Sequence, residues 1–415
     1  MADPGGPGGS DAFRVGINYW PSRTAMGWWT RFDGAETGDD LARIASRGFD
    51  SVRLFLTWED FQPAPDRVDS AMLERLVAVA DVAEKVGLQV MPTLFTGHMS
   101  GINLVPGWAL GGSDRDHRFR VLSGGRITQD GLRNWYTDPL VSMAQERLAG
   151  EAAAALAGHP ALWAWDLGNE SSNCVRPPDR RSARDWLKRV SAAIRTADPT
   201  ALVTIGLHME DLEEDRRLGP GEAAHECDFL TMHGYPIYAR WAEGPTDEQV
   251  LPFLAYLTSW LGSGADVLFS EFGVPTYRNT SPASERDRHD VAMALIEEQA
   301  AAAYARRAMT ELLAAGCLGA MLWCFADYAA STWGDPPLDE AIHERSFGLW
   351  RADGSAKASL AMIQGFAGAA RQSGSRDHDW IDIEPDEFYT SPGVHIRRLY
   401  RRYRVRSAAG TTQAG

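Results

Sequence analysis

Residues 162–170 read Leu162-Trp163-Ala164-Trp165-Asp166-Leu167-Gly168-Asn169-Glu170, an apolar run that ends on an amide and a carboxyl group. Its length and its aromatic residues are typical of a buried β-strand. Seven further short runs of apolar, β-branched or aromatic residues occur along the chain, at residues 14–20, 51–58, 89–95, 202–207, 229–235, 266–273 and 318–327. The chain therefore contains eight candidate strands.

Segments with helical periodicity separate these runs. One such segment is predicted to begin after Asp69 and Ser70, which are candidate N-caps, and to end at Gly87. An earlier helix is predicted from the capping-box-like stretch 37–40 to Gly48. The periodic apolar positions of the first example are Leu76, Val79, Ala80, Ala83 and Val86.

This alternation of strands and helices predicts an α/β protein with a parallel sheet. Eight such units match a (β/α)8 TIM barrel, whose longer members exceed about 400 residues. A doubly wound sheet is the alternative, but no G-x-G-x-x-G motif follows any strand. The third and fourth runs begin far apart, at residues 89 and 162, so we expect a long insertion at about residues 97–139, after strand 3.

The predicted barrel spans residues 13–371, between a flexible leader at 1–12 and a C-terminal extension at 372–415. Residues 1–11 contain neither a basic nor an apolar signal segment, and no run is long enough to span a membrane, which predicts a cytoplasmic protein. The extension is expected to pack on the barrel and then become disordered. Its Arg-rich stretch, residues 397–404, could touch nucleic acid or anionic lipid, or could pack Leu399, Tyr400 and Tyr403 on the barrel.

Composition narrows the classes of function. A net charge of −15 argues against nucleic acid as the main partner, because phosphate binding needs a basic surface. Four Cys residues are too few for a disulfide framework, and the ten His residues form no His-Glu-x-x-His motif, so no metal or other cofactor is expected. A soluble protein with a neutral ligand and no membrane partner remains, and the sequence contains no signal for its oligomeric state.

Two of the predicted strands end on glutamates, Glu170 in the fourth and Glu271 in the seventh. An ionisable group at the end of a buried strand is costly unless it is paired or functional. A barrel places strands 4 and 7 on opposite sides of one mouth, so the two carboxyl groups should face each other. Paired carboxyl groups are the residues that enzymes use to cleave glycosidic bonds. The alternative is that the two glutamates form ordinary ion pairs.

The motifs Asn169-Glu170 and Ser270-Glu271-Phe272-Gly273 resemble those of glycoside hydrolase family 5, a family of retaining barrel glycosidases. The resemblance covers about residues 13–370. It implies that Glu170 is the general acid/base and that Glu271 is the nucleophile. Further positions that resemble the family pattern lie at successive strand ends: Arg53, His98, His233, Tyr235 and Trp323.

The resemblance implies a role for each of these residues. Arg53 and Tyr235 would stabilise ionised Glu271, and its charge would then raise the pKa of Glu170, so that the two carboxyl groups shift in opposite directions. Asn169 would donate to the sugar 2-hydroxyl. His98 and His233 would bind hydroxyls or orient the acid, and Trp323 would form an apolar floor. Outside the family pattern, Trp20 and Trp58 end predicted strands and are either substrate contacts or packing residues.

The expected activity is therefore a retaining β-glycosidase that acts on an oligosaccharide or glycoside. The stretches Asn18-Tyr19-Trp20-Pro21-Ser22 and Gly97-His98-Met99-Ser100-Gly101 resemble the β-mannosidase and mannanase branches of the family, which favours β-mannosides. An exo-acting enzyme is expected because a chain without an export signal would meet only imported oligosaccharides. The alternatives are an endo-acting β-glucanase or mannanase, and a non-catalytic carbohydrate-binding barrel.

Overall fold

Eight parallel strands form the centre of the computed structural model, which describes residues 12–113, 118–278, 284–286, 292–372 and 378–413. The strands lie in the order β5-β4-β3-β2-β1-β8-β7-β6, which confirms the predicted parallel sheet. Their bounds are Arg14–Tyr19 (β1), Ser51–Thr57 (β2), Gln89–Thr96 (β3), Trp165–Asn169 (β4), Val203–Gly206 (β5), Leu230–His233 (β6), Val267–Phe272 (β7) and Gly319–Leu322 (β8).

Backbone hydrogen bonds close this sheet between β5 and β6. The amide of His233 donates to the carbonyl of Leu207 at 2.8 Å, and the amide of Met209 donates to the carbonyl of His233 at 3.0 Å. The (β/α)8 barrel is thereby confirmed. Its interior is tightly filled, because a Cβ added to Gly16 on β1 would lie 2.5 Å from Cγ of Met321 on β8.

The helix Ser70–Val86 (α2), one of those that cover the barrel, begins and ends at ordinary capping signals. Helix α2 begins after Asp69, whose side chain accepts from the amides of Ala71 and Met72, and it ends at Gly87, which has φ of +79°. Both predicted ends of α2 are confirmed. The longer helices are Gly34–Ala45 (α1), Ser70–Val86 (α2), Pro139–Leu156 (α3), Arg180–Ala197 (α4), Val250–Leu261 (α5), Glu298–Ala314 (α6) and Pro392–Gln413 (α7).

The predicted start of α1 is wrong by one turn. Asp33 caps the helix, because its carboxylate accepts from the amides of Ala35 and Glu36, so Thr37 lies inside the helix.

Short helices occupy the connections between the longer elements. One-turn helices occur at Trp58–Phe61, Glu210–Glu213, Pro220–Ala223 and Pro385–Phe388. Short 3₁₀ helices occur at Ala25–Gly27, Gly107–Ala109, Ser171–Asn173, Ala330–Thr332, Ile342–Ser346 and Ala358–Gly365.

The long connection after β3 forms small sheets of its own. Four strands, His98–Met99, Ile102–Leu104, Arg120–Ser123 and Arg126–Thr128, make one sheet, and Leu110–Gly112 pairs with Gly131–Leu132 in another. We call residues 98–132 the β3 insertion. Shorter strands follow β7, at Thr276–Tyr277, Ser284–Arg286, Ala292–Ala294 and Ile296–Glu297.

The C-terminal segment packs on the outside of the barrel. Tyr400 and Tyr403 of α7 are buried, and their rings lie 5.0 and 5.7 Å from the ring of Phe253 on α5. Arg398 and Arg402 both bind the carboxylate of Asp382. The leader predicted at residues 1–12 falls outside the described residues except for Ala12. Within those residues, every helix is too short or too polar to cross a lipid bilayer.

Candidate active site

Glu170 immediately follows β4, and its backbone adopts the left-handed conformation, with φ of +47° and ψ of +43°. A non-glycine residue rarely adopts this conformation unless its surroundings impose it, and such residues cluster at functional sites. The side chain is 16% exposed. Its Oε1 lies 2.9 Å from Nδ1 of His233, and its Oε2 accepts a hydrogen bond of 3.1 Å from the amide of Asn173.

Glu271 lies on β7, on the other side of the mouth, and is almost fully buried. The guanidinium of Arg53 on β2 donates to its Oε1, and the hydroxyl of Tyr235 donates to its Oε2 at 2.8 Å. Nδ1 of His233 lies 3.6 Å from Oε1. Glu271 therefore has a buried cation as a partner, whereas the nearest donors to Glu170 are an amide and an imidazole.

Arg53 is fully buried and binds several strand ends at once. Nε and Nη2 donate to Oδ2 of Asp166, at 2.9 and 2.6 Å. Nη1 donates to Asn18 at 3.2 Å, and Nη2 also donates to Asn169 at 2.8 Å. A buried guanidinium needs such a complete set of acceptors, since losing one would leave an uncompensated charge. Arg53 thus fixes the positions of Glu271 and Asn169 relative to each other.

The two glutamates are close enough to act on one bond. One carboxylate oxygen of Glu170, one of Glu271 and a ring nitrogen of His233 all lie within 4.8 Å of one another. Retaining glycosidases hold their carboxyl groups about 5–5.5 Å apart, whereas inverting enzymes need about 6.5–9.5 Å to admit water. An upper limit of 4.8 Å between the two oxygens is shorter than the inverting range and is compatible with a retaining arrangement.

Burial dominates the electrostatics of this pair. It raises the pKa of Glu170, and it also raises the pKa of Glu271, although His233, Arg53 and the Tyr235 hydroxyl oppose that rise. The sequence-based expectation of opposite shifts is therefore wrong in direction for Glu271. Burial lowers the pKa of His233 to about 4, so its imidazole is neutral at pH 7.

Asn169 and His98 lie on the same side of the site as Glu170. The amide of Asn169 donates to the backbone carbonyl of His98 at 2.6 Å, and its oxygen accepts from Arg53, which leaves one N–H for a ligand. Nδ1 of His98 lies 2.8 Å from Oδ1 of Asn103, and Nε2 lies 3.9 Å from Oε2 of Glu170. The structure thus brings both residues to the glutamate pair.

Trp323 follows β8 and is 4% exposed. Its indole nitrogen donates to Oε2 of Glu344 at 3.2 Å. The same carboxylate accepts from the hydroxyls of Ser100 and Tyr238, at 3.0 and 3.2 Å. Trp323 is therefore held by a carboxylate from the β8 loop.

Trp20 and Trp58 do not reach the mouth. Both are fully buried: the ring of Trp20 stacks on Phe55 at 5.3 Å, and the indole of Trp58 donates to Gln62 at 2.9 Å. The expectation that they contact substrate is corrected in favour of packing, because neither ring has surface available to a ligand. The exposed aromatic rings of the neighbouring loops belong instead to Tyr238 and Trp333.

Sequence reasoning missed three residues near the pair. His208 lies two residues beyond β5, and its Nδ1 lies 3.9 Å from Oε2 of Glu170, so the strand-end rule that found Glu170 could have found it. Asn173 lies three residues beyond Glu170 and touches its carboxylate. Glu344 lies in the 3₁₀ helix Ile342–Ser346, far from any strand end, and nothing in its local sequence indicates the site.

The β3 insertion is tied to loops around the mouth. It bonds to the β2 loop through the amide of Gly124, which donates to Glu59, and to the β4 loop through Asn103, which donates to the carbonyl of Asn173. It also forms two-nitrogen ion pairs with the β5 and β8 loops, and these involve Arg118 with Glu210 and Arg120 with Asp339. The mouth is thus walled by one insertion that reaches four other loops.

A parallel (β/α)8 barrel with two facing carboxyl groups at the ends of its fourth and seventh strands belongs to the class of barrels that cleave glycosidic bonds. The family model described as "Cellulase (glycosyl hydrolase family 5)" matches residues 11–306, and the chain belongs to this family. The resemblance found in the sequence is confirmed.

The curated relatives that the chain matches are named as mannanases. It is 27% identical over 219 residues to a probable mannan endo-1,4-beta-mannosidase F of Emericella nidulans, which covers 49% of this chain and 45% of the relative. It is 25% identical over 151 residues to mannan endo-1,4-beta-mannosidase 5 of Arabidopsis thaliana, which covers 31% and 34%. The matched region thus spans less than half the length of these relatives.

Solved structures match over more of the chain. An exo-beta-1,4-mannosidase from Opitutaceae bacterium strain TAV5 has 26% identity and a TM-score of 0.72, covering 96% of this chain and 68% of that one. A GH5_18 structure from Streptomyces cattleya in complex with GlcNAc shares the fold, with a TM-score of 0.76 and 23% identity, covering 96% of this chain and 92% of that one. A second structure from that organism, with Manb1-4GlcNAc, has a TM-score of 0.74 and 22% identity, covering 94% of this chain and 91% of that one.

Proposed function

We propose that this protein is a retaining, exo-acting β-mannosidase that removes a terminal mannosyl unit from a short oligosaccharide. The observation that carries the proposal is the placement of Glu170 and Glu271, whose carboxylate oxygens lie within 4.8 Å on opposite sides of the barrel mouth. A binding-only barrel would need neither the pair nor the buried cation that holds one of its members.

The reaction proceeds in two displacements. A carboxylate oxygen of Glu271 attacks the anomeric carbon while Glu170 gives its proton to the leaving glycosidic oxygen, which forms a glycosyl ester and frees the aglycone. Glu170, now ionised, then takes a proton from water as the water oxygen attacks the anomeric carbon. The ester bond breaks, Glu271 regains its electron pair, and Glu170 regains its proton.

Other residues bind the sugar in its transition state. The remaining N–H of Asn169 donates to a ring hydroxyl next to the anomeric carbon, a bond that strengthens as positive charge develops on the ring. The ring of Trp323 provides the apolar floor. Arg53 and Tyr235 keep Glu271 ionised and aligned for attack, because both donate to its carboxylate.

The names of similar proteins support mannose as the sugar that is cleaved. Relatives in both comparisons are mannosidases or mannanases, and one structure of the same fold holds Manb1-4GlcNAc. A β-mannoside with a sugar aglycone is therefore the substrate class that we assign. The cytoplasmic location stays a prediction.

Exo action is supported by the wall around the mouth. A polymer must lie in a cleft that is open at both ends, whereas the β3 insertion bonds to the loops after β2, β4, β5 and β8. The second candidate is an endo-mannanase, which the names of the curated relatives favour.

Mannooligosaccharides labelled at the reducing end distinguish exo from endo action, because exo action releases unlabelled mannose one unit at a time. Short labelled fragments together with unlabelled oligosaccharides at early times would favour the endo enzyme.

The role of Glu271 is tested by Glu271→Ala with azide as an external nucleophile. Loss of the carboxylate should reduce kcat on an aryl β-mannoside by at least about 10³-fold, because no covalent intermediate can form. Azide should restore turnover and give the α-mannosyl azide, which NMR identifies. Glu222→Gln changes a buried glutamate that pairs with Arg180 away from the site, and it should leave kcat unchanged. Normal activity in Glu271→Ala would overturn the nucleophile assignment.

A further inference from the structure

We propose that Arg216 is a positioning residue for the proton donor, acting through the amide of Asn173. The inference rests on the proposed function, since it assigns a task to a residue behind Glu170. Arg216 lies in the β5 loop, and its side chain is 1% exposed. Arg216 is buried close to the catalytic pair without contacting it, and a role in orienting Asn173 would account for this position.

The contacts of Arg216 fix which way the Asn173 amide points. Nη1 of Arg216 donates to Oδ1 of Asn173 at 2.6 Å. Because a guanidinium has only donors, it can face only the oxygen of the amide, so the N–H₂ group is turned to the other side. There it donates to Oε2 of Glu170 at 3.1 Å. Without Arg216, the amide could flip and present its oxygen to the carboxyl group.

This amide selects the oxygen that carries the proton. A protonated carboxyl group prefers to accept a hydrogen bond at its carbonyl oxygen, so the N–H bound at Oε2 favours a proton on Oε1. Oε1 is the oxygen beside Nδ1 of His233, at 2.9 Å, and that nitrogen also lies 3.6 Å from Glu271. The proton is thereby held on the oxygen of Glu170 beside His233, the residue that contacts both glutamates.

Arg216 is itself held by ion pairs that lead to the β3 insertion. Its Nη2 donates to Oε2 of Glu210 at 2.6 Å, and its Nε lies 3.4 Å from Glu214. Glu210 also binds the guanidinium of Arg118, at 2.7 and 2.5 Å. These contacts leave Nη1 free to bind the polar side chains of Ser172 and Asn173.

The test compares substrates that differ in their need for an acid. Arg216→Met should reduce kcat/KM for a β-mannoside with a sugar or phenyl leaving group by about 30- to 100-fold, within the range of general acid catalysis. For 2,4-dinitrophenyl β-mannoside, whose leaving group departs without protonation, the change should be within about threefold. Asn173→Ala should give the same pattern, and the double variant should lose little more than either single variant.

Two controls keep the outcome decisive. Arg217→Met changes the neighbouring arginine, which donates to the carbonyl of Pro178, and should leave both substrates unaffected. Circular dichroism must match that of the unaltered protein. If Arg216→Met fails to fold, Arg216→Lys carries the test, because it keeps the positive charge and loses the guanidinium geometry. Equal losses on both substrates, or none on either, would overturn the proposal. Inactivity of the unaltered protein on every β-mannoside would instead refute the proposed function.

Discussion

Glu170 and Glu271 share a site but differ in their partners. Glu271 receives a hydrogen bond from the buried cation Arg53 and another from the Tyr235 hydroxyl. Glu170 lies next to Asn173 and to His233, which is neutral at pH 7. A cation favours the charged form of a carboxyl group more than neutral donors do. These partners therefore support the proposed roles of Glu271 as nucleophile and Glu170 as acid, independently of the family pattern.

The pH profile of kcat/KM should reflect these proposed roles. Activity needs Glu271 ionised and Glu170 protonated, so it falls when pH drops through the pKa of Glu271 and when pH rises through that of Glu170. Because burial raises both pKa values, both limbs should lie above the ordinary range of glutamate, which is about 4.3. In the unaltered protein, the basic limb should be present on a phenyl β-mannoside and absent on the dinitrophenyl substrate, which needs no acid, while the acidic limb persists on both. A basic limb of equal size on both substrates would exclude Glu170 as the acid.

At the residue scale, the sequence predicted which side chains lie at strand ends, but it did not predict the direction in which each side chain points. Glu170, Glu271, Arg53 and His233 come together because the barrel fixes where each strand ends. The ring of Trp20 turns into the core, since its rotamer depends on neighbours such as Phe55 that are distant in sequence. Periodicity contains no information about such rotamers, and for the same reason it could not place Glu344 of the β8 loop.

At the scale of secondary-structure elements, the residues that end a helix are among the features that the sequence predicts best. Gly87 ends α2 with φ of +79°, and Gly38 lies inside α1 with helical backbone. Gly87→Ala should destabilise the protein by about 1 kcal/mol, because the left-handed conformation is costly once a Cβ is present.

Gly38→Ala is the matched control with the opposite sign. The added Cβ would lie 3.9 Å from Val82, an ordinary contact, so the variant should gain about 0.5–1 kcal/mol from helix propensity. Urea unfolding followed by tryptophan fluorescence measures both variants. Equal shifts in the same direction would refute this account of the two glycines.

The β3 insertion shows where prediction at this scale stops. Its position followed from the spacing of the apolar runs, but its small strands, such as His98–Met99 and Ile102–Leu104, are too short to produce a recognisable period. The capping of α1 by Asp33 was missed because several polar residues near the start of that helix compete as caps. Short elements are determined by tertiary contacts rather than by local pattern.

At the scale of the whole molecule, the C-terminal helix α7 adds a layer of packing to the barrel. Tyr403 is buried against Phe253, Tyr256 and Trp380. Tyr403→Ala should therefore destabilise the protein by about 3–5 kcal/mol, the usual cost of removing a buried aromatic ring. Because this ring lies outside the active site, kcat/KM at low temperature should be unchanged.

Thermal unfolding and kinetics of the same preparation check this prediction. Arg401→Ala, at an exposed position of the same helix, should change stability by less than about 0.5 kcal/mol. A loss of activity in Tyr403→Ala at temperatures where the protein remains folded would mean that α7 influences the site. An unchanged melting temperature would mean that α7 does not unfold cooperatively with the barrel.

Under the proposed exo action, the wall formed by the β3 insertion closes one end of the site and imposes an order of departure on each turnover. In a chamber with a single opening, the innermost occupant cannot leave before the outermost one. The aglycone must therefore diffuse away before a water molecule can approach the covalently held sugar, and the liberated monosaccharide exits last. Free monosaccharide re-entering that vacated chamber would compete directly with fresh substrate, so accumulation of product would slow the enzyme by occupying its deepest position.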